Sequence, residues 1–420
     1  MKLCLLINKC KYSHQQLIQL IQKASIFAYM NTFENTEIAF KSKSDKDLNR
    51  AYWLFKIVGN PKMVKFGKSA TNFSIKFKLP IKGIIKKTIF KQFCGGETIE
   101  ECDPTIETLG NFGIGTILDY SIEGKTSQED FDKTTEEIIS TILKGKNDPN
   151  IPFAVFKVTG IARFGILEKA NSISAQLSQI EIQELESAKK RIDLICKSAF
   201  DNNVPVFIDA EETWIQDTID RIAIEMMDKY NREKAIVFTT VQMYRHDRYE
   251  YLKKEIEKAK ADNYYFGIKL VRGAYMEKER LRASELGYPS PIQPNKESSD
   301  KDFNKALELL VDSISQVSIC AGTHNEESSQ FLTELLNQKG IAKDDKRVYF
   351  AQLLGMSDHI SYNLSFNSYN VAKYVPYGPI EEVLPYLLRR ADENTSVAGQ
   401  TSRELNLILK ERKRRKELNN

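Results

Sequence analysis

The sequence predicts an α/β protein, a closed (β/α)8 barrel preceded by a helical N-terminal region. Short, apolar, β-prone runs recur from residue 115 onward, and each is followed by a helical stretch. Runs that are almost continuously apolar are typical of parallel strands, which are buried on both faces of the sheet. Eight such strand–helix units over about 280 residues fit a single barrel.

Eight runs are predicted as the barrel strands. They cover residues 116–121, 153–158, 204–209, 235–241, 266–271, 317–322, 348–353 and 370–375. An open, doubly wound sheet is the alternative arrangement of the same units. We favour the barrel because the runs number eight and no Gly-rich dinucleotide-binding fingerprint follows the first. Between the fifth and sixth runs, residues 287–296 contain three prolines and are a candidate lid.

The composition is that of a globular protein with a sizeable core. The chain has 420 residues, 41% of them hydrophobic, and a formal net charge of +4. These values exclude a largely disordered chain, and no stretch of the sequence is apolar enough to span a membrane. The net charge is too small to imply a nucleic-acid partner, and we expect none. Six scattered cysteines without a C-x-x-C pair indicate a reducing compartment and argue against zinc, so no metal is predicted.

The regions outside the barrel differ in character. The predicted divisions of the chain are residues 1–33 as a poorly structured or dispensable extension, 34–108 as a helical arm, 109–400 as the barrel, and 401–420 as a basic helical tail that we expect to be solvated. The extension lacks acidic residues, as mitochondrial presequences do, but it also lacks the arginines typical of them. A start codon assigned too early is the other explanation of this extension.

The helical arm contains a strongly basic segment. Residues 61–91 carry nine lysines and no acidic residue, interleaved with Phe and Ile. A solvated pair of basic helices is the plain interpretation, whereas adhesion to anionic lipid is the sharper one. Residues 46–57 are a good helical stretch, and Thr98 and Glu101 form a capping box that opens a further helix.

A two-faced helix follows the eighth run. One of its faces carries, at positions i, i+3, i+4 and i+7, Tyr386, Arg389, Arg390 and Glu393. Two guanidiniums on one face suit a small carboxylate, which they bind through forked hydrogen bonds. The plain alternative is a solvated face with an ordinary Arg389–Glu393 ion pair, which contributes about 0.3–0.5 kcal/mol.

Polar residues cluster where the predicted strands end, and barrel active sites gather at the carboxyl ends of the strands. The residues at these ends are Lys157, Asp209, Glu211, Glu212, Gln242, Tyr244, Arg245, Lys269, Arg272, Gly273, Ala274, Tyr275, Thr323, His324, Asn325, Gln352, Leu353 and Tyr374. Several cations beside amides, a hydroxyl and an imidazole suit an anionic, multi-part cofactor such as a flavin dinucleotide. Taken singly, each residue has a plain structural explanation, for example Lys157 and Lys269 as salt-bridge partners.

Four stretches together resemble the proline dehydrogenase family. They are Asp209-Ala-Glu-Glu, Lys269-Leu-Val-Arg-Gly-Ala-Tyr275, Thr323-His-Asn, and Tyr386-Leu-Leu-Arg-Arg390 with Glu393-Asn394, in the family's order within residues 115–397. The resemblance implies a stand-alone, FAD-dependent enzyme that oxidises L-proline to Δ1-pyrroline-5-carboxylate and passes the electrons to a quinone. It also implies a cytoplasmic enzyme peripheral on the bacterial inner membrane, or one at the mitochondrial inner membrane or in the matrix.

The resemblance further implies roles for individual residues. Lys269 and Asp209 are the expected catalytic residues, with Lys269 as the cation beside the reactive edge of the flavin. Lys157, Arg389 and Arg390 are expected to grip the substrate carboxylate. The expected walls around the substrate ring are Tyr275, Leu353, Tyr374 and Tyr386. The expected FAD contacts are Gln242, Lys269, Arg272, Gly273, Ala274, Thr323, His324, Asn325 and Glu393.

Two other functions remain open. One is a different flavin barrel, similar to methylenetetrahydrofolate reductase, in which the Arg389–Arg390 pair has no obvious task. The other is a catalytically silent barrel that binds membranes or nucleic acid through residues 62–91 and the basic tail. Colour discriminates between the enzymes and the silent barrel, because a flavoenzyme is yellow and its substrate bleaches it without oxygen.

Overall fold

A computed structural model describes residues 33–60, 62–63, 82–122, 126–172, 175–396 and 400–418 of the chain. Residues 1–32 of the predicted extension and most of the basic segment lie outside these residues. Five α-helices of the described part precede the barrel. No helix of the described part is both long enough and apolar enough to cross a bilayer.

Eight parallel strands close into one barrel in sequence order. The strands are β1 (Ile114–Tyr120), β2 (Phe153–Lys157), β3 (Val206–Asp209), β4 (Val237–Gln242), β5 (Phe266–Val271), β6 (Val317–Gly322), β7 (Val348–Leu353) and β8 (Val371–Tyr377). Strand β1 closes the barrel on β8, with Ile114 opposite Val371 and Tyr120 opposite Tyr377. The predicted fold class is therefore confirmed, and each predicted run overlaps one of these strands.

Helices surround the barrel and precede it. They are α1 (Thr36–Ala39), α2 (Asp45–Val58), α3 (Lys82–Ile85), α4 (Lys91–Phe93), α5 (Asp103–Gly110), α6 (Gln128–Asn147), α7 (Phe164–Asn171), α8 (Gln179–Asn202), α9 (Thr213–Tyr230), α10 (Arg248–Ala261), α11 (Met276–Leu286), α12 (Lys296–Asp312), α13 (Glu326–Gln338), α14 (Asp358–Phe366), α15 (Ile380–Ser396) and α16 (Gln400–Leu418). A π-helical turn, Lys86–Phe90, joins α3 to α4, and short 3-10 turns cover Glu100–Cys102 and Val158–Gly160. The Thr98 hydroxyl accepts from the Glu101 amide, but a 3-10 turn rather than an α-helix begins there.

Alternation along the strands separates two apolar layers. Side chains that point outward pack against the helices, whereas inward side chains fill the barrel. Inside, Phe153 stacks on Phe207 at 4.4 Å between ring centroids, and Phe238 meets Phe153 edge-on at 5.5 Å. The lower half of the barrel is therefore a packed aromatic core, and polar side chains are left to its carboxyl end.

Helix α16 lies against the arm helices, so the expectation of a solvated C-terminal tail is wrong for its inner face. Leu407 and Ile408 are each 1% exposed and pack with Phe40, Leu48 and Phe55 of the arm. The basic residues flank this apolar stripe. They pair with carboxylates of the arm and of α16 itself, which is why a strongly basic helix can pack.

Candidate active site

Side chains alternate between the two faces of each strand, and this alternation directs several of the predicted polar residues to the inside of the barrel. On β2 and β3, Lys157 and Asp209 are direct neighbours in the register, and each follows an inward-facing residue of the aromatic core by two positions. On β4 and β5, Gln242 and Lys269 face inward in the same way, and Lys269 lies opposite Thr240. These side chains therefore meet inside the carboxyl-end mouth of the barrel.

Asp209 is the centre of this cluster. One of its carboxylate oxygens forms an ion pair with the Lys269 ammonium, and the other accepts a hydrogen bond of 2.5 Å from the Tyr374 hydroxyl. The Thr240 hydroxyl is 3.4 Å from the oxygen that Lys269 contacts. The ammonium also lies 5.1 Å and 4.8 Å from the ring centroids of Phe207 and Tyr374. Two aromatic faces and one carboxylate thus fix the position of the Lys269 charge.

Electrostatics keep the Tyr374 hydroxyl protonated. Burial and the negative charges of Asp119 and Asp209 raise the pKa of Tyr374 well above its usual value. The hydroxyl can therefore act only as the donor toward Asp209. In this position the ring of Tyr374 is a wall of the mouth and its hydroxyl is already used.

Asp119, at the end of β1, belongs to the same mouth and escaped prediction. It is 2% exposed, and the Ser121 hydroxyl donates to it at 2.5 Å. Burial raises the pKa of Asp119, whereas the positive charges of Lys157 and Lys269 oppose that rise. The sequence signal that could have found it is a single carboxylate in an otherwise apolar run, near the carboxyl end of the first strand.

Two further carboxylates follow β3 and differ in environment. Glu211 is 3% exposed and accepts hydrogen bonds from the backbone amide of Thr159, at 3.0 Å, and from its hydroxyl. Burial nevertheless raises the pKa of Glu211 to about 7. Glu212 instead forms an ion pair with Lys278 of α11. Neither carboxylate contacts a cluster able to hold a metal within the described part of the chain.

The turn after β5 places Arg272 between the ends of β5 and β6. Its guanidinium donates to Asp300 at 2.6 Å, to the Thr323 hydroxyl at 2.7 Å and to Ser328 at 2.9 Å. Burial lowers the pKa of Arg272, and the charge of Asp300 opposes this. The group remains an arginine cation held rigidly by three partners. The Arg272 side chain therefore brings the turn after β5 to the residues that follow β6.

Gly273 and Ala274 continue that turn at the surface. Gly273 has a φ of +132°, and an added Cβ would lie 2.5 Å from the Tyr244 ring. Only glycine allows both this backbone and this approach. The candidate lid, residues 287–296, is also tied to the loop of Tyr244, because the Gln293 amide donates to the Tyr244 carbonyl at 2.7 Å.

The predicted triplet after β6 forms the cap of α13. The Thr323 hydroxyl accepts from the Asn325 amide at 3.1 Å, and the Asn325 side chain caps the helix by accepting from the Ser328 amide at 2.9 Å. His324 points elsewhere, and its Nδ1 lies 2.9 Å from the Ser357 hydroxyl. Thr323 and Asn325 therefore supply the cap of α13. The ring of His324 is instead oriented by Ser357, which precedes α14.

Helix α15 closes the mouth from the side. Tyr386 is 5% exposed and packs with Val383 and Leu387, so this residue lies within the apolar contact of the helix and not on a purely polar face. Leu353 touches both this cluster and the barrel interior. Arg389, Lys157 and Tyr275 are half-buried. The predictions for the side chains of Arg390 and Glu393 lie outside the described residues.

The mouth suits a large anionic cofactor on the evidence of its own donors. The Gln242 side-chain oxygen is buried and has no hydrogen-bond partner among the described residues. Lys269 and Arg272 supply cationic donors at the neighbouring strand ends. His324 supplies an imidazole, whose nitrogens donate or accept according to the tautomer. An orphaned buried acceptor beside several donors fits a group with both polar ring edges and phosphates. Of the predicted FAD contacts, those at or beside the carboxyl ends of β4, β5 and β6 are Gln242, Lys269, Arg272, Gly273, Ala274, Thr323, His324 and Asn325.

A second concavity lies away from this mouth. A groove of about 820 Å³ separates α9 from α10 on the outer side of the barrel. Its charged walls are largely paired, as in the Arg248–Asp220 contact of 2.7 Å. None of the predicted site residues lines this groove, so the barrel mouth remains the candidate site.

The fold and the mouth together define a (β/α)8-barrel protein with a buried, charged ligand site at the carboxyl ends of its strands. The family model described as proline dehydrogenase matches residues 102–403. The chain belongs to the proline dehydrogenase family.

Known relatives agree with this assignment. The chain is 33% identical over 426 residues to "Proline dehydrogenase 1, mitochondrial" of Dictyostelium discoideum, covering 91% of this chain and 74% of that protein. It is 40% identical over 316 residues to the Homo sapiens protein of the same name, covering 74% and 48%. Among solved structures, proline utilization A of Bdellovibrio bacteriovorus superposes with a TM-score of 0.70 at 19% identity, covering 88% and 41%. This last likeness shows the barrel fold.

Proposed function

We propose that this protein oxidises L-proline to Δ1-pyrroline-5-carboxylate with FAD and passes the electrons to a quinone. The observation that carries the proposal is the buried contact of Lys269, Asp209 and Tyr374 at the barrel mouth. Membership of the proline dehydrogenase family supports the choice of proline as the substrate. The reaction removes a hydride from C5 and a proton from the ring nitrogen, which leaves a double bond between them.

Substrate binding in this proposal depends on charge and on shape. Lys157 faces the mouth beside Asp209, and Arg389 with Arg390 supplies two guanidiniums from α15. Three cations are suited to a carboxylate that leaves water, because an unpaired buried charge is costly. Aromatic and aliphatic walls then hold the apolar ring of the substrate. The proposed wall residues are Tyr275, Leu353, Tyr374 and Tyr386.

The cofactor contacts come from the ends of β4, β5 and β6 and from α15. The proposed residues are Gln242, Lys269, Arg272, Gly273, Ala274, Thr323, His324, Asn325 and Glu393. Bound there, FAD would supply the acceptor for the hydride and the route of the electrons to the quinone. Lys269 holds a positive charge at the mouth, where it stabilises negative charge that develops on the acceptor. Asp209 keeps that ammonium in place, and Tyr374 in turn orients Asp209.

The proposal is tested by the colour of the purified protein. We expect yellow protein whose visible flavin absorbance bleaches when L-proline is added without oxygen, and a quinone should restore the colour. D-proline serves as the matched control, because it presents the same groups in the mirror arrangement. Colourless protein that cannot be reconstituted with FAD would contradict the proposal.

The carboxylate contact is tested at α15. Arg390→Met should raise the Michaelis constant for proline by the equivalent of about 2–4 kcal/mol, as when one partner of a buried charge pair is truncated. Steady-state kinetics over a wide proline range would measure this. Arg232→Met removes a guanidinium that binds Asp228 far from the mouth and should leave the constant unchanged. An unchanged constant in Arg390→Met would remove this face of α15 from the site.

Membrane contact and location are part of the proposal. The basic segment of residues 61–91 is the proposed site of contact with anionic lipid beside the quinone, and most of it lies outside the described residues. In its described part, the Lys86 ammonium pairs with Glu97 at 2.5 Å and Glu101 at 3.3 Å. The mitochondrial relatives favour a mitochondrial location over a bacterial one. Co-sedimentation with anionic liposomes should occur and should weaken at high salt.

A further inference from the structure

The turn between β7 and α14 has an unusual backbone. Gly355 and Ser357 both adopt left-handed conformations, with φ values of +75° and +51°. For serine this conformation is disfavoured, because its Cβ crowds the backbone. A non-glycine residue keeps it only where surrounding contacts determine the backbone. The turn directly follows Leu353, a proposed wall of the substrate ring, so its shape bears on the site.

Two buried charged side chains hold this turn from below. Lys373 of β8 is fully buried, and its ammonium donates to the Met356 carbonyl at 2.6 Å and contacts Asp358 at 2.8 Å. Glu404 of α16 is 3% exposed and accepts from the Ser357 amide at 2.5 Å. The turn therefore has its carbonyl and its amide satisfied by opposite charges. Glu404 lies just beyond the stretch that the family model matches.

The turn passes this constraint on to His324. The Ser357 hydroxyl lies 2.9 Å from His324 Nδ1. Such a contact fixes which way the imidazole faces, and the hydroxyl can donate to this nitrogen or accept from it according to the tautomer of the ring. The other nitrogen, Nε2, is then directed by Ser357 and, through it, by the backbone of the turn.

Helix α16 also contacts the chain two residues after His324. Arg403 forms a forked contact with Glu326, at 2.8 Å and 3.1 Å, in the first turn of α13. His359 of α14 contacts the same carboxylate at 3.0 Å. Neighbouring residues of one helix, Arg403 and Glu404, thus contact the chain just after His324 and the turn that orients its ring. Both contacts tie the C-terminal helix to the strand ends of the mouth.

We propose that Ser357 and Glu404 are positioning residues for FAD binding, which act by holding the His324 imidazole in one orientation at the barrel mouth. The inference rests on the proposed function, in which His324 contacts FAD. Neither residue was singled out by the sequence, since one lies in a turn and the other in the C-terminal helix. Their effect should appear in how tightly and in what environment the flavin is held, beyond any change in stability.

The first test removes the hydroxyl without disturbing the turn. Ser357→Gly suits the left-handed backbone and deletes only the contact to His324. The matched control is Ser368→Gly, an exposed serine with a φ of +69° and no link to the mouth. FAD release from the holoenzyme, followed by the rise in flavin fluorescence, should be roughly three- to tenfold faster in Ser357→Gly, as for one lost hydrogen bond. The visible circular dichroism of the bound flavin should change in this variant alone.

The second test acts on the carboxylate. Glu404→Ala should speed FAD release by a similar factor, whereas Glu404→Gln keeps an acceptor oxygen and should stay within about twofold of the wild type. Glu411→Ala is the control, because Glu411 is fully buried on the same helix but pairs with Arg414 and Arg415. It should lower stability without changing the flavin spectrum.

The outcomes separate the inference from the proposed function. Wild-type protein that binds no FAD would contradict the proposed function itself. Wild-type protein that binds FAD, with Ser357→Gly and Glu404→Ala releasing it at the wild-type rate and with an unchanged spectrum, would overturn only the positioning role. Equal effects of Glu404→Ala and Glu411→Ala on the spectrum would overturn it too.

Discussion

At the scale of single residues, the mouth of the barrel is a problem of buried charge. Asp209 is 9% exposed and Lys269 is 6% exposed, and each neutralises the other. Such a pair adds little net stability, because both charges left water to form it. Removing one partner is a different matter, since the remaining charge stays buried without compensation. The main effect of the pair is therefore to hold the Lys269 ammonium in one position at the mouth, and its contribution to stability is small.

Lys269→Met tests this view. We expect a loss of about 3–5 kcal/mol in the free energy of unfolding, measured with urea, because Asp209 is left buried and unpaired. The double variant Lys269→Met/Asp209→Asn should recover much of that loss but not the turnover with proline. Lys133→Met is the matched control, since its ion pair with Glu129 is exposed on both sides. It should leave the free energy of unfolding almost unchanged.

At the scale of elements, the turn from β5 into α11 is a tightly packed connection of the site. Gly273→Ala introduces a Cβ at 2.5 Å from the Tyr244 ring on a backbone that disfavours it. Gly340→Ala is the control, because its φ of +66° is also positive but nothing lies within 4 Å of the added Cβ. We expect Gly340→Ala to lose about 1–2 kcal/mol of unfolding free energy. Gly273→Ala should lose more and should also bind FAD more weakly; equal losses would show that the Tyr244 contact is unimportant.

Helix α15 shows how an element serves two surfaces at once. Its periodicity indicated a polar face, yet Tyr386 packs with Val383 and Leu387 against the arm and the β7 turn. A tyrosine joins an apolar cluster easily because its ring is apolar and only its hydroxyl is polar. The packing of α15 therefore depends on the arm segment that carries Phe90 and Phe93.

At the scale of the whole molecule, the arm and the C-terminal helix form one layer. Leu407→Ala should lower the free energy of unfolding by about 2–5 kcal/mol, because the residue is 1% exposed against the arm. Leu409→Ala, at 43% exposure on the same helix, should change it by less than about 0.5 kcal/mol. Urea titrations of both variants measure the difference. Similar small effects would mean that α16 does not pack on the arm.

The pH dependence of stability is also a property of the whole fold, and Glu211 contributes to it. Its pKa of about 7 in the folded protein lies above the ordinary 4.5, so the folded state holds the proton more tightly than the unfolded state. The neutral form is favoured by burial, and stability is lost as the pH rises from about 4.5 to about 7. That loss amounts to about 3 kcal/mol, by the conversion of pKa shift into free energy.

Glu211→Gln should remove this part of the pH profile. Urea unfolding at pH values between about 5 and 8 should show a flatter decline for the variant than for the wild type. Glu186→Gln, an exposed carboxylate of α8, should keep the wild-type slope. An unchanged slope in Glu211→Gln would mean that Glu211 is ionised in the folded protein throughout this range.

The sequence by itself determined the barrel and most of its mouth. Eight buried, almost continuously apolar runs set the strand count and placed Lys157, Asp209, Gln242 and Lys269 at the ends of the strands, because the carboxyl ends of parallel strands meet at one end of a barrel. Asp119 obeys the same rule, and only the lack of a neighbouring motif hid it.

Tertiary structure alone decided the partners. That Asp209 holds Lys269 and Tyr374, that Ser357 reaches His324, and that α16 closes on the arm are contacts between residues far apart in the chain. No periodicity encodes them, since they depend on the closure of the barrel and on how the helices pack around it.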